Sequence, residues 1–149
     1  MKKDVAASAA GAVAPKKPEF SLIDEDLLKS RIYTIRGVKV MLDADLAEIY
    51  GYSTKDFNRQ VKNNIEKFDE DFRFRLNSEE FEILRSKKSA SSWGGVRYAP
   101  YAFTEQGIYM LMTVLKGEQA TAQSKALIEI YLAIHHIGLL TICSRLATL

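Results

Sequence analysis

The stretch Leu42 to Glu66 reads LDADLAEIYGYSTKDFNRQVKNNIE, and its punctuation decides the fold. Asp43 is placed to cap a helix over Ala44 to Tyr50, and Gly51 supplies the left-handed residue that stops it. Ser53 opens a second helix, with Ser53-x-x-Asp56 as an approximate capping box, and the period carries that helix to about Lys67. Phe57, Val61 and Ile65 form its apolar side. Two short helices around Gly51-Tyr52-Ser53 have the layout of a helix-turn-helix. Small Ala47 allows a close crossing, and Leu46, Tyr50, Phe57 and Val61 are the residues to fill the joint.

Burying that side leaves Lys55, Asn58, Arg59, Lys62 and Asn63 on the other. Lysine and arginine neutralise phosphates and pair with guanine edges, and asparagine pairs with adenine. Residues near the start of a recognition helix reach deepest into a groove, which favours Lys55, Asn58 and Arg59. The competing reading is an ordinary solvated helix face.

Upstream, Arg31 to Leu42 (RIYTIRGVKVML) reads as a strand pair turning at Arg36-Gly37, with Val38, Val40 and Leu42 on one side of its second strand. Glu19 to Lys29 is an acidic lead-in. Downstream, FRFRL at Phe72 to Leu76 alternates, with Arg73 and Arg75 facing out. Asn77-x-x-Glu80 caps a helix through Leu84. Ser86 to Phe103 reads as a wing-like hairpin turning at Gly94-Gly95, and Pro100 argues against a central strand there. It is basic and aromatic, with Lys87, Lys88 and Arg97 as phosphate contacts. Tyr98, Tyr101 and Phe103 are expected mostly in the core, while Trp93 at the turn suits either role. Thr104 caps a helix carrying Ile108, Leu111, Met112 and Leu115 and ending at Gly117. A last helix starts near Gln119 and buries Ala126, Leu127, Ile130, Tyr131 and Ile134.

Composition sets outer bounds. The chain has 149 residues, 47% hydrophobic and 27% charged, which suits one domain of α+β class. The organisation reads as a flexible leader and acidic lead-in over 1–30, a DNA-binding domain over 31–135, and an apolar C-terminal helix extension over 136–149. The net charge of +2 hides a split. Residues 1–18 carry four lysines against one aspartate, which leaves the remainder at −1. A nucleic-acid surface must therefore be a local patch. Val5 to Ala14 is too poor in large apolar residues for a signal peptide, and the lone Cys143 suits a reducing, cytoplasmic location. Ile137 to Ile142 is apolar almost all round, yet Glu129, His135, His136 and Arg145 interrupt the roughly 20 residues a span would need, so a core or dimer helix fits better than a membrane span.

No catalytic pattern emerges, and neither metal nor cofactor is expected. Gly107-Ile108-Tyr109 matches the opening of a GIY-YIG nuclease, but it falls at a helix start without the second half of that motif. Adjacent His135 and His136 point to different helix faces, and Asp69-Glu70-Asp71 reads as a solvated turn.

Two segments carry a resemblance. IRGVKVMLDADLAEIYGYSTKDFNRQVKNNIEKFDEDFRFRL (Ile35 to Leu76) and SSWGGVRYAPYAFTEQGIYML (Ser91 to Leu111) resemble the ORF-six N-terminal domain of phage, prophage and bacterial proteins, which is grouped with the KilA-N and Bro-N DNA-binding domains. The resemblance covers about Ile32 to Ile134. It implies a small α+β domain that binds double-stranded DNA in antirepressors and related regulators, and it supplies no catalytic residues. A protein-interaction role is the alternative expectation, sequestering a repressor or forming a homodimer through the C-terminal helix.

Overall fold

The first hairpin shows how local chemistry sets this fold. Its strands are β1 (Tyr33–Ile35) and β2 (Val38–Leu42), paired antiparallel with Ile35 opposite Val38. Arg36 and Gly37 between them take φ of +58° and +75°, as a two-residue turn matching strand twist requires. Positive φ is costly for arginine. Here the side chain is anchored: Nε donates to Glu80 Oε2 at 2.8 Å, Nη2 donates to the Arg75 carbonyl at 3.3 Å, and the guanidinium lies 4.2 Å from the Phe74 ring centroid.

The structure is a computed structural model that describes residues 21–87 and 98–147, with side chains as far as His136. After a short helix α1 (Glu25–Ser30) and the hairpin come α2 (Asp43–Tyr50), α3 (Thr54–Lys62) and a 3₁₀ turn at Ile65–Lys67. Then follow β3 (Arg73–Arg75), α4 (Ser78–Lys87), β4 (Tyr101–Thr104), α5 (Glu105–Leu111) and α6 (Glu118–Ala147). The strands form one antiparallel sheet in the order β1-β2-β4-β3. The fold is α+β.

Both faces of the sheet are covered. Met41 and Phe103 point to one side and join Leu46, Phe57, Val61, Ile108, Leu111 and Leu127 in the larger core. Val40, Leu42, Phe74 and Ala102 point to the other and pack on Phe81 and Leu84 of α4. Thus α2, α3, α5 and α6 lie on one face and α4 on the other. The sequence gives α4 its start through a reciprocal cap: Glu80 N–H donates to Asn77 Oδ1 at 2.8 Å, and Asn77 N–H donates to Glu80 Oε1 at 2.9 Å.

Several expectations need correction. Asp43 is the first residue of α2 rather than its cap; Leu42 holds that position without a side-chain bond. The α3 helix stops at Lys62, and the 3₁₀ turn swings Ile65 out to 48% exposure. Pro100 does not exclude an internal strand, because β4 begins just after it, where no proline N–H is needed. The Pro100 carbonyl accepts from Leu76 N–H at 3.1 Å. Tyr98 is 72% exposed, since it lies ahead of the strand and outside the cover of either core. Helix α5 ends at Leu111, well short of Gly117, whose φ of +109° marks the turn into α6.

Gly107 is required by close approach. A Cβ there would sit 1.9 Å from the Phe72 carbonyl oxygen, which also accepts from Thr104 N–H at 3.1 Å. The α5 start is thus pressed against the chain entering β3.

Candidate nucleic-acid interface

Helix α3 is fixed at its start, at its back and through one side chain. Gly51 ends α2 with φ +80°, and the next N–H, from Tyr52, donates to the Ala47 carbonyl at 2.8 Å. Ser53 Oγ then accepts from Asp56 N–H at 3.1 Å and starts α3. At the back, Phe57 and Val61 are fully buried in the same core as Leu46, Ala47 and Tyr50. The Phe57 ring meets Phe103 of β4 edge-on, with centroids 5.6 Å apart.

The third fixture is Asn58. Its Nδ2 donates to Asp43 Oδ2 at 2.9 Å, and the same oxygen accepts from Tyr101 N–H at 3.3 Å. Asp43 Oδ1 accepts from Ala44 N–H at 2.7 Å. One buried carboxylate therefore joins the starts of α2 and β4 to the middle of α3. Burial raises its pKa above the ordinary value, against the bonds from Asn58, Tyr101 and Ala44, which favour the ionised form.

The five residues expected on the outer side of α3 do not share one environment. Lys55, Arg59, Lys62 and Asn63 are exposed, whereas Asn58 is half-buried and its amide nitrogen is engaged with Asp43. Arg59 Nη1 lies 2.8 Å from Asp56 Oδ1, but both side chains are about half exposed or more. Such a pair contributes at most about 1 kcal/mol and exchanges readily for a phosphate. Lys87 is exposed at the end of α4, on the opposite face of the sheet from α3. Lys88, Arg97, Trp93 and the Gly94-Gly95 turn lie outside the described residues.

Sequence reasoning passed over one group beside α3. Arg73 and Arg75, on edge strand β3, both lie against the Tyr101 ring, at 3.9 and 4.8 Å from its centroid. The alternation in FRFRL showed that both face away from Phe74. It could not show Tyr101, which becomes the cross-strand partner of Arg75 only through the sheet register.

Among the described residues no three His, Cys, Asp or Glu side chains gather as a metal site. His135 instead sits 2.5 Å from Glu105 Oε2, which also accepts from the Tyr109 hydroxyl at 2.7 Å. Among the described residues no helix is long and apolar enough to cross a membrane.

Comparison with curated proteins and with solved structures found no match. Comparison with protein families matched the ORF6N domain over residues 30–114, a span that begins at the end of α1 and includes the sheet, α2 to α5 and every residue of the α3 surface. With more than half of its length matched, this chain belongs to the ORF6N domain family.

Proposed function

We propose that the chain binds double-stranded DNA as a phage-type transcriptional regulator or antirepressor, and that α3 is the helix that enters the major groove. The ORF6N domain is phage-associated and antirepressor-like at family level. The observation that carries the DNA reading is the division of α3. Phe57 and Val61 are locked into the core, while Lys55, Arg59 and Lys62 stand exposed on a helix that cannot rotate to hide them. Lys55 and Arg59 approach base edges or phosphates, and Lys62 tracks the backbone. Asn58 contributes to orientation through Asp43, and pairing with adenine would require it to leave that bond. Replacing Arg59 and Lys62 together with Ala should weaken binding in an anisotropy titration and flatten its salt dependence. Unchanged affinity rules out this placement.

A second reading has its own observation. On α6, Ile128 is 38% and Leu132 62% exposed, one helical turn apart on the same side. Such a stripe suits a protein contact, either with a repressor or as a homodimer seam. Light scattering on the full chain and on a chain truncated at His136 tests it; a monomer in both argues against a seam. Under either reading the protein acts in the cytoplasm without metal or cofactor and is not an enzyme. Plasmid should survive incubation with Mg²⁺ or Mn²⁺, and cleavage would contradict this.

A further inference from the structure

We propose that Arg73 and Arg75, stacked on Tyr101, form a second phosphate-binding strip, so that a duplex backbone lies across the joint between α3 and β3. This rests on the DNA reading of α3 and adds to it a surface on the sheet. Arg73 is half-buried, and no salt bridge to a carboxylate forms at either arginine among the described residues. The carboxylate that both feel electrostatically is Asp43, which is buried and occupied by three N–H donors. Two guanidiniums therefore share one aromatic ring with a single, inward-facing counter-charge.

Stacking on a ring restrains the guanidinium planes while leaving N–H edges for an outside acceptor, the geometry that suits bidentate phosphate binding. Arg75 spends its Nε on the Ala99 carbonyl at 3.1 Å, which fixes the remaining fork further. Arg73 and Arg75 are two positions apart on one strand, so they stand about 6.8 Å apart along it. That span suits one phosphate or two neighbours on a DNA strand.

The strip is tied to α3 by one shared atom. Asp43 Oδ2 accepts from both Tyr101 N–H and Asn58 Nδ2, so the residue carrying the ring and the residue at the middle of α3 share one acceptor. The ring also packs against the larger core that holds Phe57 and Val61, which sets the strip and α3 on the same side of the sheet. Groups on the strip would set position and affinity, since phosphate contacts carry no sequence information.

The test uses the full chain and short random-sequence duplexes in anisotropy titrations over a range of salt. Arg73→Gln and Arg75→Gln should each weaken binding roughly three- to tenfold on every duplex, and each should lower the salt slope by about 0.9. Arg73→Lys keeps the charge and should recover most of the slope. Thermal melts identify any variant that fails to fold, and Arg73→Lys and Arg75→Gln remain informative if Arg73→Gln is one. If the Arg73/Arg75 double variant binds like wild type while Arg59/Lys62→Ala binds weakly, the strip is wrong and the α3 reading stands. If wild type binds no duplex, both fall.

Discussion

Helices α3 and α6 pack on one core but differ in what their two faces carry. Helix α3 buries Phe57 and Val61 and shows cations outside. Helix α6 buries Ala120, Leu127 and Tyr131 but adds polar groups to its inner face, where Gln123 is 1% exposed and Ser124 lies beside it, while Leu132 is 62% exposed. The inner polar groups of α6 are fully used. Gln123 Nε2 donates to the Ile49 carbonyl at 2.6 Å, its Oε1 accepts from Ile23 N–H at 2.7 Å, and Ser124 Oγ pairs with the Tyr50 hydroxyl at 2.7 Å. Apolar packing orients α3, and its outer face stays available for charge. Hydrogen bonds to the chain around α1 and α2 add to the apolar packing that orients α6, and its outer face keeps Ile128 and Leu132 exposed among charged neighbours. A helix's inner face fixes its pose, and its outer face is then the place to look for a partner.

The largest effect should come from the apolar anchor. Phe57→Ala should cost about 3–5 kcal/mol in denaturant unfolding, because it removes a fully buried ring against Phe103 and leaves a cavity. A loss under about 1 kcal/mol would mean that α3 is held otherwise. Next is Gln123→Leu, which strands the Ile23 N–H and the Ile49 carbonyl. It should cost about 1–3 kcal/mol per stranded group, and a neutral result would break the contrast.

Asp43→Ala should cost about 1–3 kcal/mol at neutral pH by leaving Asn58 and Tyr101 without their acceptor. Its pH dependence has a definite sign. Burial sets the folded pKa of Asp43 above its ordinary value, so the folded state holds that proton more tightly than the unfolded chain. The cost of ionising it is absent below the unfolded value and appears as pH rises through the folded one. The stability difference between wild type and Asp43→Ala should therefore grow as pH falls toward the carboxylate range, read by denaturation midpoints. A difference that shrinks in acid would contradict this. The smallest effects belong to the outer faces. Lys62→Ala and Leu132→Ser should each move stability by less than about 0.5 kcal/mol. Only the first should change DNA affinity.

Much of α3 was legible because its signals are local. Gly51, Ser53 and the spacing of Phe57 and Val61 act within a few residues, and the structure uses all of them as read. The Arg36-Gly37 turn and the Asn77–Glu80 cap were equally local. What was missed depends on distant partners. Gln123 is buried because backbone groups 74 and 100 positions away need it. Asp43 looked like a cap, but its Oδ2 serves Asn58 and Tyr101 across the fold, and only Oδ1 accepts locally, from Ala44 N–H. Arg73 and Arg75 read as solvated until the register put Tyr101 beside them. Ile65 followed the helical period, yet α3 had already ended at Lys62.

The most direct test of a DNA surface on α3 is a residue-resolved NMR titration with a short duplex. Amide shifts should concentrate at Thr54–Lys62, weaken as salt rises, and shrink at matched duplex concentration in Arg59/Lys62→Ala. Shifts that leave α3 untouched and gather on α4 or α6 would contradict the central claim.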